Sequence, residues 1–247
     1  FQRDVSIAGP DDQKCEMVTP ILTYEDMELL QGLVRVLRKA GMKSDPTRGA
    51  GVHIHIGAAG HTAQTLRNLV NIMAAHETQI CKAIKVDAWR QENYCRTVDP
   101  EFLEEVNRKK PKTMERLADI WYESQGYDYA RDHHYNRSRY HVTNLHATFT
   151  KGTVEFRCFQ FDAPANGKQN GLHAGHLKAM IQLCLGISQL AKQVRYASPK
   201  PQQTENEAYA FRCWMLRLGF IGDEFKTARD YFLANMEGNR AWRHEAR

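Results

Sequence analysis

Two short segments of the sequence carry residue types that could hold a metal ion together with an anion. His53 and His55 lie two residues apart in GVHIHIG, and Glu155 and Arg157 lie two residues apart in TVEFRCF. Residues i and i+2 of a β-strand point to the same face of a sheet. Charged and polar groups on one face cost stability unless they have a partner. The two segments therefore predict one site for a metal with an anionic ligand.

The chemistry of the candidate side chains favours a divalent cation bound together with phosphate. Carboxylates with an imidazole suit Mg²⁺ or Mn²⁺, and Glu16 is a further carboxylate candidate. The guanidinium groups of Arg137, Arg139 and Arg157 match phosphate oxygens. Neither GxxxxGKS/T nor GxGxxG, the glycine patterns that bind phosphate, occurs in the sequence. Metal ions and arginines would therefore have to hold a bound nucleotide.

The order of apolar and polar residues predicts an α+β fold with an antiparallel sheet. Few strands alternate with helices, which disfavours a doubly wound parallel sheet and favours helices packed on one side of the sheet. We predict extended chain over residues 1–22, a charged and irregular lobe over 91–135, and a hairpin over 140–159. Helices are predicted at Met27–Lys39, Thr62–Arg90, Asn170–Val194, 205–218 and 223–237.

The composition is that of a soluble globular protein with a mildly basic surface. The 247 residues are 42% hydrophobic and 26% charged, with a formal net charge of +5. No apolar run approaches the roughly 20 residues of a membrane-spanning helix, and the first residues lack a signal-peptide pattern. The six cysteines include no CxxC pair, which favours reduced core thiols and a cytoplasmic location. The basic run Asn107–Lys112 is interpreted as solvated chain rather than as a nucleic-acid patch.

Four motifs in a fixed order resemble the amidoligase family of the glutamine synthetase-like carboxylate–amine ligase superfamily. Along the chain they are CEMVTPIL (15–22), GVHIHIG (51–57), YHVTNLH (140–146) and TVEFR (153–157). The resemblance runs from about residue 1 to residue 190, and LRLGFIGDEF (216–225) resembles members of one bacterial subgroup. It implies a glutamine synthetase-like fold, a curved antiparallel sheet with helices on one face. The concave side of such a sheet would hold ATP and divalent ions.

The resemblance also implies roles for individual residues. Carried over by motif, the metal ligands are Glu16, His53 and Glu155, the nucleotide-binding residues are His55, Arg139, Arg157 and Asn144, and the catalytic residues are Arg157 and Glu155. Arg90 is a further arginine, which we assign to the substrate. The family opens with a strand of the pattern Gly-x-Glu-x-Glu, which this sequence lacks. Because position 1 is not Met, we expect that strand upstream of Phe1.

The leading hypothesis is an ATP-dependent carboxylate–amine ligase that uses Mg²⁺ or Mn²⁺. ATP would convert a carboxylate to an acyl phosphate, and an amine would displace phosphate to form an amide or peptide-like bond. The implied partners are a carboxylate donor and an amine acceptor, which can be small molecules, peptides or proteins, while a membrane or a nucleic acid is not expected. We assign this activity to a domain over residues 1–197, followed by a C-terminal linker and helices over 198–247.

Two alternatives stay open from the sequence alone. A ligase fold that has lost catalysis could bind a peptide or a nucleic acid through the basic lobe around residues 107–116. A hydrolase could use Zn²⁺ bound by His53 and His55, with further ligands among later histidines. The candidates for those further ligands are His133, His134, His141, His146, His173 and His176.

Overall fold

An antiparallel sheet of three strands carries both chemistry-bearing segments in the computed structural model, which describes residues 1–162 and 171–242. The strands are β1 (Val52–Gly57), β2 (Thr143–Asn144) and β3 (Thr153–Phe159), and β3 lies in the middle. The helices of the described residues are α1 (Met27–Lys39), α2 (Ala63–Ala83), α3 (Ala88–Asn93), α4 (Pro100–Lys109), α5 (Met114–Ser124), α6 (His146–Lys151), α7 (Ala174–Gln193), α8 (Glu207–Arg217) and α9 (Lys226–Leu233). This mixture of helices with an antiparallel sheet is an α+β architecture, as predicted.

The apolar side of the sheet packs against helices. Ile54 of β1 and Phe156 of β3 face each other across the strands, and both are buried. They belong to one apolar core with Leu66 and Met73 of α2 and Leu183 of α7. A smaller apolar cluster joins α1 to the first half of α7. Since strand residues alternate between faces, the polar side chains of the two segments lie on the opposite side of the sheet.

Several predicted elements have the predicted positions, but the segment over residues 1–22 forms no regular strand. The helix at Met27–Lys39 is confirmed, and β1 and β3 occupy the predicted strand segments. Residues 1–22 contain only an isolated bridge between Gln2 and Glu16 and a 3₁₀ turn at Asp11–Gln13. Within the residues that the structure describes, no helix combines the length and the hydropathy that crossing a membrane requires.

The single long helix predicted over Thr62–Arg90 is wrong, because the chain breaks after Ala83. Lys85 adopts a left-handed backbone conformation (φ 50°). Asp87 then caps the new helix α3, and its carboxylate accepts a hydrogen bond from Arg90 N at 3.1 Å. Left-handed helix ends usually carry glycine, so a lysine at this position gives no sequence signal. The break lets α3 turn Arg90 toward β3.

The connection between β2 and β3 is a helix rather than the predicted tight hairpin. Within residues 140–146, Thr143 and Asn144 pair with β3, and α6 fills most of the connection. Gly152 ends α6 in a left-handed conformation (φ 69°). This glycine therefore marks the end of a helix, although the antiparallel pairing of the two flanking segments agrees with the prediction.

The charged region 91–135 contains regular helices, and its basic run is partly neutralised. Residues 107–109 form the last turn of α4, where Glu105 binds Arg108 at 2.7 Å and Lys109 at 2.5 Å. Pro111 is buried. The run is therefore the end of an anchored helix and not a flexible basic loop.

A buried carboxylate fastens the segment that follows α3. The two oxygens of Glu77 accept hydrogen bonds from Val98 N at 2.9 and 3.1 Å. The neighbouring Thr97 O lies 2.7 Å from His141 Nδ1, so this segment is tied to the start of the β2 region as well. Glu77 is 3% exposed, and burial raises its pKa to about 7, against the opposing effect of the bonds from Val98.

We expect Glu77→Gln to stabilise the protein at pH 8, by on the order of 3 kcal/mol, and to have little effect at pH 5. The pKa of Glu77 is about 7 in the folded chain against an ordinary 4.5, so the folded state binds more protons between these values. Stability is therefore lost as the pH rises from about 4.5 to 7. Glutamine keeps an acceptor for Val98 N and removes this loss. Urea unfolding at both pH values measures the effect.

The matched control for this measurement is Glu115→Gln, at an exposed glutamate of α5. It should leave the pH dependence of unfolding unchanged. A wild-type pH profile in the Glu77→Gln variant would contradict the titration that we assign to this carboxylate.

Candidate functional site

Glu155 occupies the centre of the polar face of the sheet. In the antiparallel register it lies opposite His55 of β1 on one side and opposite Asn144 of β2 on the other. Directly opposed residues of antiparallel strands point to the same face. The three side chains therefore converge, as the sequence predicted for His55 and Glu155.

A β-bulge brings His53 and Arg157 to the same face. Val52 pairs with Phe159 and Ile54 pairs with Phe156, so His53 alone lies opposite two residues of β3. Arg157 is one of these two residues. Bulges bend a strand locally and re-aim its side chains. This bulge occurs next to Glu155, which places both candidate pairs within one site.

The Glu155 carboxylate has a different set of partners on each oxygen. Oε1 lies 2.6 Å from Arg157 Nη1, 3.5 Å from His53 Nδ1 and 3.6 Å from His55 Nε2. Oε2 accepts a hydrogen bond from Asn144 Nδ2 at 2.5 Å. Burial by itself would raise the pKa of Glu155, but Arg157, the imidazoles and the bond from Asn144 together lower it to about 2. The carboxylate is therefore ionised at neutral pH.

The two histidines of β1 are neutral at pH 7. Desolvation and the nearby Arg157 lower the pKa of His53 to about 3, and desolvation also lowers the pKa of His55. His55 Nδ1 lies 2.8 Å from Thr153 Oγ1, which orients the ring. The side chains are 32% and 36% exposed. Neutral, accessible imidazoles of this kind can act as metal ligands.

Two arginines flank the ring of Tyr140 beside the carboxylate. The guanidinium of Arg157 lies 5.6 Å from the centre of that ring and that of Arg139 lies 5.8 Å from it. Arg157 Nε donates to Tyr94 O at 3.3 Å, and Arg139 Nη1 donates to His134 O at 2.9 Å. Arg139 Nε is buried and has no hydrogen-bond partner among the described residues. An anionic ligand could supply that partner.

The charges around the polar face favour an anion. Arg139 and Arg157 both affect the pKa of His53, and Lys151 lowers the pKa of His55. Against these cations, the negative group that acts on both histidines is Glu155. A cleft with surplus charge of one sign attracts ligands of the opposite sign.

A buried tyrosine–histidine pair holds the segment that carries Arg139. Tyr122 Oη of α5 lies 2.6 Å from His146 Nδ1, and the His146 ring also hydrogen-bonds the backbone of His133. Trp121 Nε1 donates to Ser138 Oγ at 3.0 Å in the same region. The sequence indicated His146 only as a metal-ligand candidate, because Tyr122 lies too far along the chain for the pairing to be read from spacing.

Arg90 is buried against the backbone of β3, so the structure does not support the substrate role that the sequence suggested. It is 1% exposed. Nη1 donates to Phe159 O and Gln160 Oε1, both at 3.1 Å, and Nη2 donates to Arg157 O at 3.3 Å. Arg90 therefore stabilises the bulged end of β3 by binding its backbone carbonyls. The break before α3, which periodicity did not indicate, gives it this position.

Glu16 does not join the other two predicted metal ligands. It is half-buried, and its Oε2 accepts a hydrogen bond from Gln2 Nε2 at 2.7 Å. No hydrogen bond or ion pair within residues 1–162 and 171–242 connects it to His53 or Glu155. The reason is that its segment pairs with Gln2 and not with the sheet.

The residues present fit a divalent ion that arrives with phosphate, but not a metal cage made of protein alone. Over the described ranges, no group of three or more His, Cys, Asp or Glu side chains is arranged to hold a metal. Mg²⁺, however, is commonly bound through one or two carboxylates, with phosphate oxygens and water completing its octahedron. Glu155 and His53 could supply the protein ligands of such an ion, and the arginines could bind the phosphates.

Comparison with known proteins gives a family but no individual relative. A family model described as "Putative amidoligase enzyme" matches residues 4–188, most of the 247 residues. The chain therefore belongs to the amidoligase family, as its motifs predicted. Neither the curated proteins nor the solved structures contained a match.

We expect Gly51→Ala to destabilise the protein by about 1–3 kcal/mol, as overpacking of a close contact does. A Cβ at Gly51 would lie 2.1 Å from Arg90 Nη2, and Arg90 is held by three acceptors. The same change at Gly57, the other end of β1, meets no atom within 4 Å and should be nearly neutral. Chemical denaturation of both variants measures the difference. Equal stabilities would show that the contact with Arg90 does not constrain β1.

Proposed function

We propose that this member of the amidoligase family is an ATP- and Mg²⁺-dependent carboxylate–amine ligase. Family membership supports an enzyme of ligase type. The observation that carries the finer proposal is the ionised, buried Glu155, which lies between two neutral imidazoles and beside Arg157 on one face of the sheet. When bound, Mg²⁺-ATP would supply the phosphoryl group that turns the donor carboxylate into an acyl phosphate, while the ion neutralises phosphate charge.

Arg157 and Arg139 would bind and orient the phosphate oxygens. A guanidinium matches two such oxygens at once and keeps its charge at all relevant pH values. Both arginines are already positioned, Arg157 by Glu155 and Tyr94 O, and Arg139 by His134 O and the flanking tyrosine rings. Because the orientation of these side chains is set before the ligand binds, binding costs little side-chain conformational entropy.

Glu155 and His53 would present the protein's donor atoms for a divalent ion, with phosphate oxygens and water as the other ligands. Since both imidazoles are neutral, His53 adds a lone pair without repelling the cation, and His55 would face the phosphates. Asn144 holds Glu155 Oε2 and so fixes the plane of the carboxylate. The protein thus sets the orientation of the carboxylate before a metal ion binds.

We propose anionic small molecules or peptides as the carboxylate donors. A donor carboxylate adds a second negative group to the phosphates, and the cations Arg139, Arg157 and Lys151 favour both. After activation, the amine attacks the acyl carbon, the C–O bond to phosphate breaks with its electron pair on phosphate, and the amine releases its proton. The products are an amide, ADP and phosphate.

A second candidate is a binding protein built on the same fold without turnover. Both oxygens of Glu155 already have protein partners, and the described chain holds no group of three metal ligands. Under this proposal the cationic face would bind an acidic peptide. Partial neutralisation of the basic run by Glu105 argues against a nucleic acid as its partner.

The described geometry gives the zinc hydrolase little support. His141 and His146, two of the proposed additional ligands, contact Thr97 O and Tyr122 Oη respectively. His173 and His176 stack on one another with ring centres 4.1 Å apart. No group of three ligands occurs in residues 1–162 and 171–242.

We expect Arg157→Lys to reduce turnover by about 10²-fold or more, because one ammonium replaces a bidentate donor at the transferring phosphoryl group. ADP release should be measured with Mg²⁺-ATP, a panel of carboxylates and a panel of amines. Glu155→Gln should lower turnover at least as far, and a circular dichroism spectrum checks that each variant is folded. Full turnover in both variants would refute the site. No ADP release by the wild type, with retained peptide binding, would favour the second candidate.

We expect Arg139→Ala to weaken nucleotide binding by about 10- to 100-fold, the usual loss for a hydrogen bond to a charged group. Arg137→Ala is the matched control, because the structure leaves Arg137, the third arginine that the sequence suggested for phosphate, exposed in the same 3₁₀ turn. The thermal shift produced by Mg²⁺-ATP measures both variants. Equal shifts in the two variants would contradict a role for Arg139 in binding phosphate.

A further inference from the structure

The outer face of α1 carries apolar side chains that have no cover within the described chain. Leu29, Leu33 and Val36 are 74%, 38% and 61% exposed. They are spaced i, i+4 and i+7, so they lie in one line along the helix. Another face of α1 is also apolar and is buried on the protein. A helix that is apolar on two faces needs a second partner to cover the outer one.

Gly32 lies in the middle of this outer face. Glycine in the interior of a helix is unfavourable relative to alanine, because it loses more backbone freedom. Gly32 is at neither a turn nor a position of positive φ, and a Cβ built on it would meet no atom within 4 Å. The described part of the chain therefore does not need the space that glycine leaves. Close approach of another surface would use that space.

The charges beside the apolar line are of opposite sign at the two ends of α1. Glu25 and Glu28 lie at its start, and Arg35 and Lys39 lie toward its end. Glu28, Arg35 and Lys39 are spaced i, i+7 and i+11, which places Arg35 and Lys39 within about 20° of Glu28 around the helix. All four are exposed, and none forms an ion pair with another described residue.

We propose that this face binds a second copy of the same chain, with the two α1 helices packed antiparallel across a two-fold axis near Gly32 and Leu33. In such a pair every contact occurs twice. Position 28 of one helix then lies level with position 37 of the other, within about 3 Å along the axis of both Arg35 and Lys39. The acidic start of each helix would meet the basic end of its partner, and the two Gly32 residues would let the helices approach closely.

The charge pattern favours a second copy over the other occupants of an apolar helix face. A membrane surface is anionic and selects helices with a basic polar face, whereas Glu25 and Glu28 would be repelled. An unrelated partner protein would not require the two ends of α1 to carry charges of opposite sign. The helix itself is firmly seated on the protein, because Gln31 Nε2 donates to Ala174 O of α7 at 3.1 Å and the inner face of α1 packs in an apolar cluster with α7.

The experiment is sedimentation of the purified chain over about 1–100 µM, a range in which a moderate self-affinity is visible. The wild type should approach twice the 28.4 kDa mass of one chain. Leu33→Arg places two like charges near the axis and should give a monomer. Glu28→Lys should raise the dissociation constant by at least about tenfold, because both symmetric pairs become repulsive.

Reversal of all three charges, E28K/R35E/K39E, should restore the dimer, since each pair is attractive again with its signs exchanged. Glu115→Lys reverses an exposed glutamate on α5 and is the matched control, with no expected change. If Leu33→Arg does not fold, the three surface-charge variants still decide the question. A monomeric wild type at every concentration, a dimer that survives Glu28→Lys unchanged, or a triple variant that stays monomeric would each overturn the proposal. The outcome does not depend on nucleotide or turnover.

Discussion

Glu155 and Arg157 form an ion pair in the middle strand of the sheet, with Oε1 and Nη1 2.6 Å apart and each side chain 4% exposed. Burying two charges costs several kcal/mol per ion unless other groups replace the lost water. Neighbouring elements supply that replacement here. Asn144 of β2 binds the second carboxylate oxygen, and Tyr94 O after α3 binds Arg157 Nε. The site therefore depends on three parts of the chain that meet at one pair.

This pair leaves the surrounding face positively charged. Arg157 neutralises Glu155, while Arg139 and Lys151 act on the histidines without an ion-pair partner among the described residues. Arg139 Nε also lacks a hydrogen-bond partner there. Repulsion between these groups and the desolvation of the unpartnered guanidinium nitrogen cost stability, and an anion on this face would offset that cost.

The sequence predicted the parts of this site that depend on local periodicity. Alternation in β1 and β3 placed His53, His55 and Glu155 on one face, and the helix α1 has its predicted bounds. Contacts between distant segments were not predictable in the same way. Glu16 carries a family motif, yet its segment pairs with Gln2 and not with the sheet. The order of the motifs shows where each one lies along the chain. It does not show which backbone segments pair with each other, because pairing depends on which strand edges are free.

The most informative failure is the break at Lys85. Apolar residues continue at helical spacing on both sides of it, so the periodicity predicts one helix over Thr62–Arg90. A straight helix would carry Arg90 on in the direction of α2. With the left-handed turn at Lys85 and the cap at Asp87, Arg90 instead binds the carbonyls of Arg157 and Phe159. These carbonyls flank the bulge that directs Arg157 toward Glu155. The break in the helix at Lys85 therefore stabilises the irregular pairing between β1 and β3.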